Sequence, residues 1–233
     1  MILNASTIYQ IMQQNEIKKE IANQALLFIE ENMTIGLGTG TTATAFIHAL
    51  AKKQLRITAV ATSLASEQLA LDLGIHCVPV DHVHTIDLTF DGADQIDPKK
   101  RMIKGAGGAL LREKIIAASS NELVVLIEEK KQVQALGHTQ LPVEILPFAH
   151  RFTAAHLEKL GYQGAFRQIN KNIYTTDNGN YIYDIFLDDL LSDPEKADRE
   201  ICSIPGVITT GLFFSLAGRV VIGKNNGTVV IED

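Results

Sequence analysis

Cysteine is scarce: Cys77 and Cys202 are the only two in 233 residues. They lie far apart and form no Cys-x-x-Cys pattern, so a disulfide framework is excluded and reduced thiols in a cytoplasmic protein are expected. A basic excess is also missing. Against 21 lysines and arginines stand 27 aspartates and glutamates, interspersed, for a net charge of −6. A general nucleic-acid surface wants the opposite balance, whereas a small anion needs only a few amides and lysines. No run of about 18 apolar residues occurs, so no membrane span is expected. The opening "MILNASTIYQIMQQNEIKKE" lacks a basic segment followed by an apolar one, which argues against a secretory signal. There is no internal repeat and no low-complexity segment. Without a Gly-x-Ser-x-Gly elbow, a serine hydrolase is disfavoured. The seven histidines form no constellation. The close pair His82 and His84 lacks further ligands at zinc-like spacing and reads as a surface loop.

What is present is an ordinary apolar fraction, 46%, enough for a real core. Ile17, Ile21, Ala25, Phe28 and Ile29 recur at helical spacing, so a helix is expected from Asn15, as cap, to Asn32. "MTIGLGTGTTATAFIHAL" reads as strand, glycine turn and helix. Strands are expected at "LRITAVATS", "IHCVPV", "TIDLTFDGAD" and "ELVVLIEE", with helices at "SLASEQLALDLG" and "GALLREKIIAASS". Strands alternating with helices predict an α/β fold: a Rossmann-like, mostly parallel sheet with helices on both faces. The character changes after Gly137. "LPVEILPF" carries two prolines, and "NIYTTDNGNYIYDIFL" reads as a hairpin turning at Asn178-Gly179. A smaller α+β domain is expected over 137–205. The larger domain would take 1–136 together with 206–233, its last short strands rejoining the first sheet.

Three segments can carry chemistry. "GLGTGTT", Gly36 to Thr42, sits between a strand and a helix. It is not a dinucleotide fingerprint, because Thr41 stands where glycine is needed and no acidic residue ends the next strand. It is not a Walker loop, for want of Gly-Lys-Ser/Thr. Glycines that admit a ligand, amides at a helix start and the hydroxyls of Thr39, Thr41 and Thr42 favour a phosphate; the plainer alternative is a tight strand-to-helix turn. In "TFDGADQID", Asp91 and Asp94 fall at the carboxyl end of an expected strand, where open parallel sheets bind ligands. Solvated capping aspartates are the alternative, and a magnesium site lacks a third clustered ligand. In "IKGAGGALLREKI", Lys104 precedes a second glycine turn, and Glu113 falls about one turn into the next helix. Lysine supplies positive charge for an oxyanion and glutamate a base, unless the one is a surface lysine and the other complements the helix dipole.

Taken together and in order, "GLGTGTTA", "DGADQID", "KGAGGALLREKI", "LPVEILPFA", "TDNGN" and "IPGVITTGLF" resemble the ribose-5-phosphate isomerases of the A type over almost the whole chain. The resemblance implies interconversion of D-ribose 5-phosphate and D-ribulose 5-phosphate through an enediolate, in the non-oxidative pentose phosphate pathway. It implies Glu113 as the base, with Asp91, Asp94 and Lys104 as further active-site residues. Substrate would be held by Thr39, Gly40, Thr41 and Thr42, by Asp91, Gly92, Ala93 and Asp94, by Lys104, Gly105, Ala106 and Gly107, and by Lys131. Lys18 aligns with a family lysine near the phosphate. No metal or organic cofactor is expected. The implied partner is a small sugar phosphate, not nucleic acid or membrane, and the implied assembly is a homodimer or homotetramer. The chain departs from the family pattern at Leu111, often threonine, and at "IEEKK", Ile127 to Lys131, often Ala-Asp-x-Ser-Lys. Two other readings are a sugar-phosphate sensor that binds without turnover, and acyl-CoA transfer on a related fold.

Overall fold

The computed structural model describes residues 5–233, with side chains from residue 14 onward. The chain divides into two compact units. One holds the residues up to Gly92, then Ile116–Lys131 and Ala217–Asp233; the other holds Ala93–Ile115 and Gln132–Leu216.

The first unit is built on a six-stranded sheet. Its order is Val229–Glu232, Ala217–Gly223, Ser120–Glu128, Ile86–Gly92, Thr34–Leu37 and Thr58–Ala61. Only the Ala217–Gly223/Val229–Glu232 pair is antiparallel; the others run parallel. Helices α1 (Ala5–Ala25), α2 (Thr41–Lys53) and α3 (Leu64–Asp72) cover it. Strands buried on both faces need continuous apolar runs, and Val124, Val125, Leu126 and Ile127 are each at most 1% exposed. Ile17, Ile21 and Ala25 of α1 join Ile35, Phe46, Phe90 and Val221 in one core. α1 approaches so closely that a Cβ at Gly223 would lie 2.5 Å from Ile17 Cγ2. Phe46 of α2 stacks on Phe90 at 4.4 Å between ring centroids.

The second unit is antiparallel. Val207–Thr210, Gly137–Ile145, Tyr181–Leu190 and Gly164–Phe166 form a four-stranded sheet in that order. Leu212–Phe213, Met102–Ile103 and Gln95–Ile96 form a three-stranded one. α4 (Leu110–Ala118) begins here, and the division falls within it, after Ile115. α5 (His150–Lys159) and α6 (Pro194–Cys202) complete the set. α6 opens as its sequence demands: Asp193 accepts the Lys196 N–H and Pro194 takes the first turn, where no amide is needed. The core gathers Leu141, Val143, Leu157, Tyr183, Ile185 and Ile201.

The α/β class and the mostly parallel sheet stand as expected, and four local expectations do not. The first helix is already running at Ala5 and stops at Ala25, giving way to a 3-10 turn at Leu26–Phe28, so Asn15 is interior and not a cap. "IHCVPV" makes only a single bridge, Ala59 to Cys77. Pro79 has no N–H to extend it and the chain turns into a 3-10 segment at Val80–His82. The Asn178-Gly179 turn exists, closed by Gly179 N–H to the Thr176 carbonyl at 2.9 Å. The following strand, however, pairs with Gly137–Ile145 and Gly164–Phe166, and only one bridge, Thr175 to Tyr181, spans the turn. Residues 93–115, 132–136 and 206–216, expected in the larger domain, lie in the second unit. Met102–Ile103 pairs with Leu212–Phe213, and the Gly211 N–H reaches the Pro142 carbonyl at 2.7 Å. Such long-range pairing has no local sequence signal.

Candidate active site

In the first unit the candidate residues sit where a parallel sheet offers ligands a place, at the carboxyl ends of its strands. Leu37 is in register with both Phe90 and Ala61, so the segments after all three emerge together. Asp91 is 1% exposed. Its Oδ1 accepts the main-chain N–H of Thr39 at 3.1 Å and that of Gly92 at 2.7 Å. The carboxylate therefore locks the glycine turn. Gly38 is required there, since a Cβ would lie 2.6 Å from the Asp91 Cα. Gly40 is required for a different reason, its φ of 104°. Thr39 turns its hydroxyl inward, to Thr62 Oγ1 at 2.8 Å and Ser63 Oγ at 2.9 Å. Gly40 and Thr41 are exposed at the start of α2.

The sequence reading missed Thr62, Ser63 and Ser66 as parts of this turn. The Ser66 hydroxyl donates to the Gly38 carbonyl at 2.7 Å, and Ser63 caps α3. The signal available was the Ser63-x-x-Ser66 capping pattern; its long-range contact to Gly38 was not legible. Lys18 and Lys131 belong to the same unit. Lys18 Nζ is 3.8 Å from Glu128 Oε1, and Lys130 Nζ is 3.1 Å from Glu128 Oε2. Lys131 is half-buried at the end of the short turn that follows the Ser120–Glu128 strand.

In the second unit, Lys104 and Glu113 form an ion pair, Nζ to Oε2 3.5 Å, with each side chain 3% exposed. The glycine turn brings them together: Gly105 and Gly108 adopt positive φ, 105° and 83°, reversing the chain into α4. The Lys104 N–H is anchored on the Gly211 carbonyl at 2.8 Å, and its ammonium lies 5.5 Å from the centroid of Phe213. Asp94 Oδ2 accepts the Ala106 N–H at 3.0 Å.

The three consecutive charges Arg112, Glu113 and Lys114 part company on the helix. Arg112 donates to Asn178 Oδ1 and the Asp177 carbonyl. Lys114 donates to Thr209 Oγ1 and the Thr210 carbonyl, 2.9 and 2.8 Å away; burial lowers its pKa, opposed by the negative charge of Asp198. Glu113 alone meets Lys104. A buried carboxylate beside a buried ammonium can act as a base paired with a charge stabiliser, a set suited to proton transfer next to a carbonyl.

The third aspartate of the run does something else. Asp97 accepts the Lys99 and Arg101 amides and binds the Arg101 guanidinium at 2.6 Å, which makes it a loop fastener. His82 and His84 are exposed. Among the described residues no group of three or more His, Cys, Asp or Glu could hold a metal ion, and no helix is long and apolar enough to cross a membrane.

The family model described as ribose 5-phosphate isomerase A (phosphoriboisomerase A) matches residues 58–227. A second model, the DeoR C-terminal sensor domain, matches residues 13–73. The chain is 47% identical over 218 residues to ribose-5-phosphate isomerase A of Protochlamydia amoebophila, covering 92% of this chain and 94% of that one. It is similar to the structure of ribose 5-phosphate isomerase A from Methanocaldococcus jannaschii, with TM-score 0.86, 34% identity and coverage of 93% and 98%. It is similar also to a D-ribose-5-phosphate isomerase solved in complex with phospho-erythronic acid, with TM-score 0.88, 36% identity and coverage of 94% and 98%.

Proposed function

The chain belongs to the ribose 5-phosphate isomerase A family, and from that premise we propose that it interconverts D-ribose 5-phosphate and D-ribulose 5-phosphate through Glu113 and Lys104. The observation that carries the mechanism is the buried ion pair, 3.5 Å from Nζ to Oε2. Glu113 takes the proton from C2 of the open-chain aldose and returns it to C1. The C1 carbonyl oxygen gains a proton as the C2 hydroxyl loses one, so the sum is an isomerisation with nothing consumed. Lys104 stabilises the negative charge that the enediolate spreads over both oxygens. Asp94 and Asp91 orient the sugar hydroxyls, and one of them assists ring opening.

The phosphate is assigned to the Thr39–Thr42 turn, with Lys131 and Lys18 supplying positive charge. Exposed amides at the start of a helix favour an anion, and Thr39 stiffens the turn through its inward hydroxyl. The proton that moves lies next to a carbonyl, so the chemistry calls for no metal or organic cofactor. Two free cysteines accord with a cytoplasmic setting. Assembly as a homodimer or homotetramer is supported by Phe148 and Phe152, 82% and 75% exposed on the second unit, because large exposed aromatics commonly mark contact surfaces. Light scattering on the purified protein tests it; a monomer refutes it.

Incubation with D-ribose 5-phosphate and assay for ketose decides the main reading. Turnover is expected. Binding without turnover would favour a sensor, a reading with some support in the DeoR-type match to residues 13–73.

A further inference from the structure

Arg167 lies 63 residues beyond Lys104 in the chain and no motif singles it out. Its guanidinium nevertheless grips the turn that carries Lys104. Nη1 donates to the carbonyls of Gly105 and Ala106, both at 3.0 Å. The rest of the fork is held by Asp184, which accepts from Nε at 2.9 Å and from Nη2 at 2.6 Å. Asp184 is buried on the central Tyr181–Leu190 strand, so the fork stands on rigid backbone. All of these groups belong to the second unit.

One peptide shows what the grip accomplishes. The Gly105 carbonyl points to Arg167, and the N–H of the same peptide, on Ala106, points to Asp94 at 3.0 Å. A trans peptide sends its C=O and N–H in opposite directions. With the Gly105 and Ala106 carbonyls both turned to Arg167, the N–H groups of Ala106 and Gly107 are turned away from it, and that of Ala106 meets Asp94. Ala106 and Gly107 are exposed, whereas Gly105 and Gly108 are buried. Gly108 is hemmed in by Tyr174, whose Cε1 would be 2.7 Å from a Cβ there. A glycine-rich turn has little intrinsic preference for one peptide orientation, so something must choose it.

We propose that Arg167 is a positioning residue for the isomerisation, setting the peptide planes of the 105–107 turn so that the Ala106 N–H holds the Asp94 carboxylate where it faces the sugar. Lysine cannot substitute. A single ammonium cannot serve two carbonyls while meeting a carboxylate edge-on. The inference rests on the isomerase reading, and wild-type turnover of ribose 5-phosphate is measured first; if there is none, that reading fails by itself.

Given turnover, Arg167→Ala and Arg167→Lys are compared with wild type. Misplacement of the turn is expected to lower kcat/KM by about 10²-fold in Arg167→Ala and about 10-fold in Arg167→Lys. Guanidinium ion at low millimolar concentration is expected to restore part of the loss in Arg167→Ala and none in Glu113→Gln. Wild-type kinetics in a folded Arg167→Lys, or a loss in Arg167→Ala that guanidinium leaves unchanged, would overturn the inference. Should either variant fail to fold, the unaltered protein decides. The Ala106 and Gly107 amide resonances are expected to shift when substrate is added; resonances that stay in place overturn the inference.

Discussion

Glu113 Oε2 and Lys104 Nζ face each other at 3.5 Å with 3% of either side chain open to solvent. Each charge makes the other tolerable in that setting, and each is assigned a step of the reaction. Replacing Glu113 with Gln keeps the shape and removes the base. Turnover should fall by about 10²–10⁴-fold, with sugar-phosphate binding largely retained. Ketose formation and calorimetric titration measure the two; a fully active variant removes Glu113 from its role.

The same pair separates stability from catalysis. Lys104→Met leaves a buried carboxylate without its cation, a change that costs about 3–5 kcal/mol. For a chain of this size the midpoint of thermal unfolding should drop by about 6–20 °C. Lys104→Met combined with Glu113→Gln should recover most of that stability and none of the activity. If the double variant is as unstable as Lys104→Met alone, the pair is not what holds these side chains.

Two glycines of the 36–42 turn are expected to fail differently. At Gly38 a methyl group would sit 2.6 Å from the Asp91 Cα, so Gly38→Ala must displace backbone. At Gly40 nothing lies within 4 Å and the obstacle is the φ of 104° alone. A strained φ costs about 1–3 kcal/mol. Gly38→Ala should therefore be the more destabilising of the two in urea unfolding, and it should weaken sugar-phosphate binding by displacing Asp91. Equal midpoints for the two would contradict this account.

Alkaline pH offers a test away from the chemistry. Burial, aided by the Glu158 carboxylate that accepts its hydroxyl, pushes Tyr183 from 10.0 up to about 12. The protonated form is favoured in the folded state, so its contribution is complete below pH 10 and is lost as pH rises toward 12. Tyr183→Phe should be less stable than wild type at pH 8, by about 1 kcal/mol for the lost hydrogen bond. That gap should close or reverse near pH 12; a gap independent of pH excludes Tyr183 as the titrating group.

Chelation should leave activity unchanged, since the proposed mechanism takes both the base and the positive charge from Glu113 and Lys104. Inactivation by EDTA, reversed by a divalent cation, would require a different mechanism.

Much of this protein was legible in one dimension. Apolar runs such as Val124–Ile127 read as strands buried on both faces, and glycines at 40, 105 and 108 mark positive-φ turns no other residue makes cheaply. Periodicity and side-chain size are local properties, so the parallel sheet, the two glycine turns and the candidates Asp91, Asp94, Lys104 and Glu113 were accessible from order and spacing. What tertiary structure decided is which polar groups meet. Three neighbouring charges, Arg112, Glu113 and Lys114, go to three different partners. Three evenly spaced aspartates hold a turn, an amide and an arginine. Arg167 finds carbonyls more than 60 residues away. The chemistry of each side chain is written in its own residue, but a hydrogen bond needs two atoms within about 3 Å, and only the folded chain brings distant residues that close.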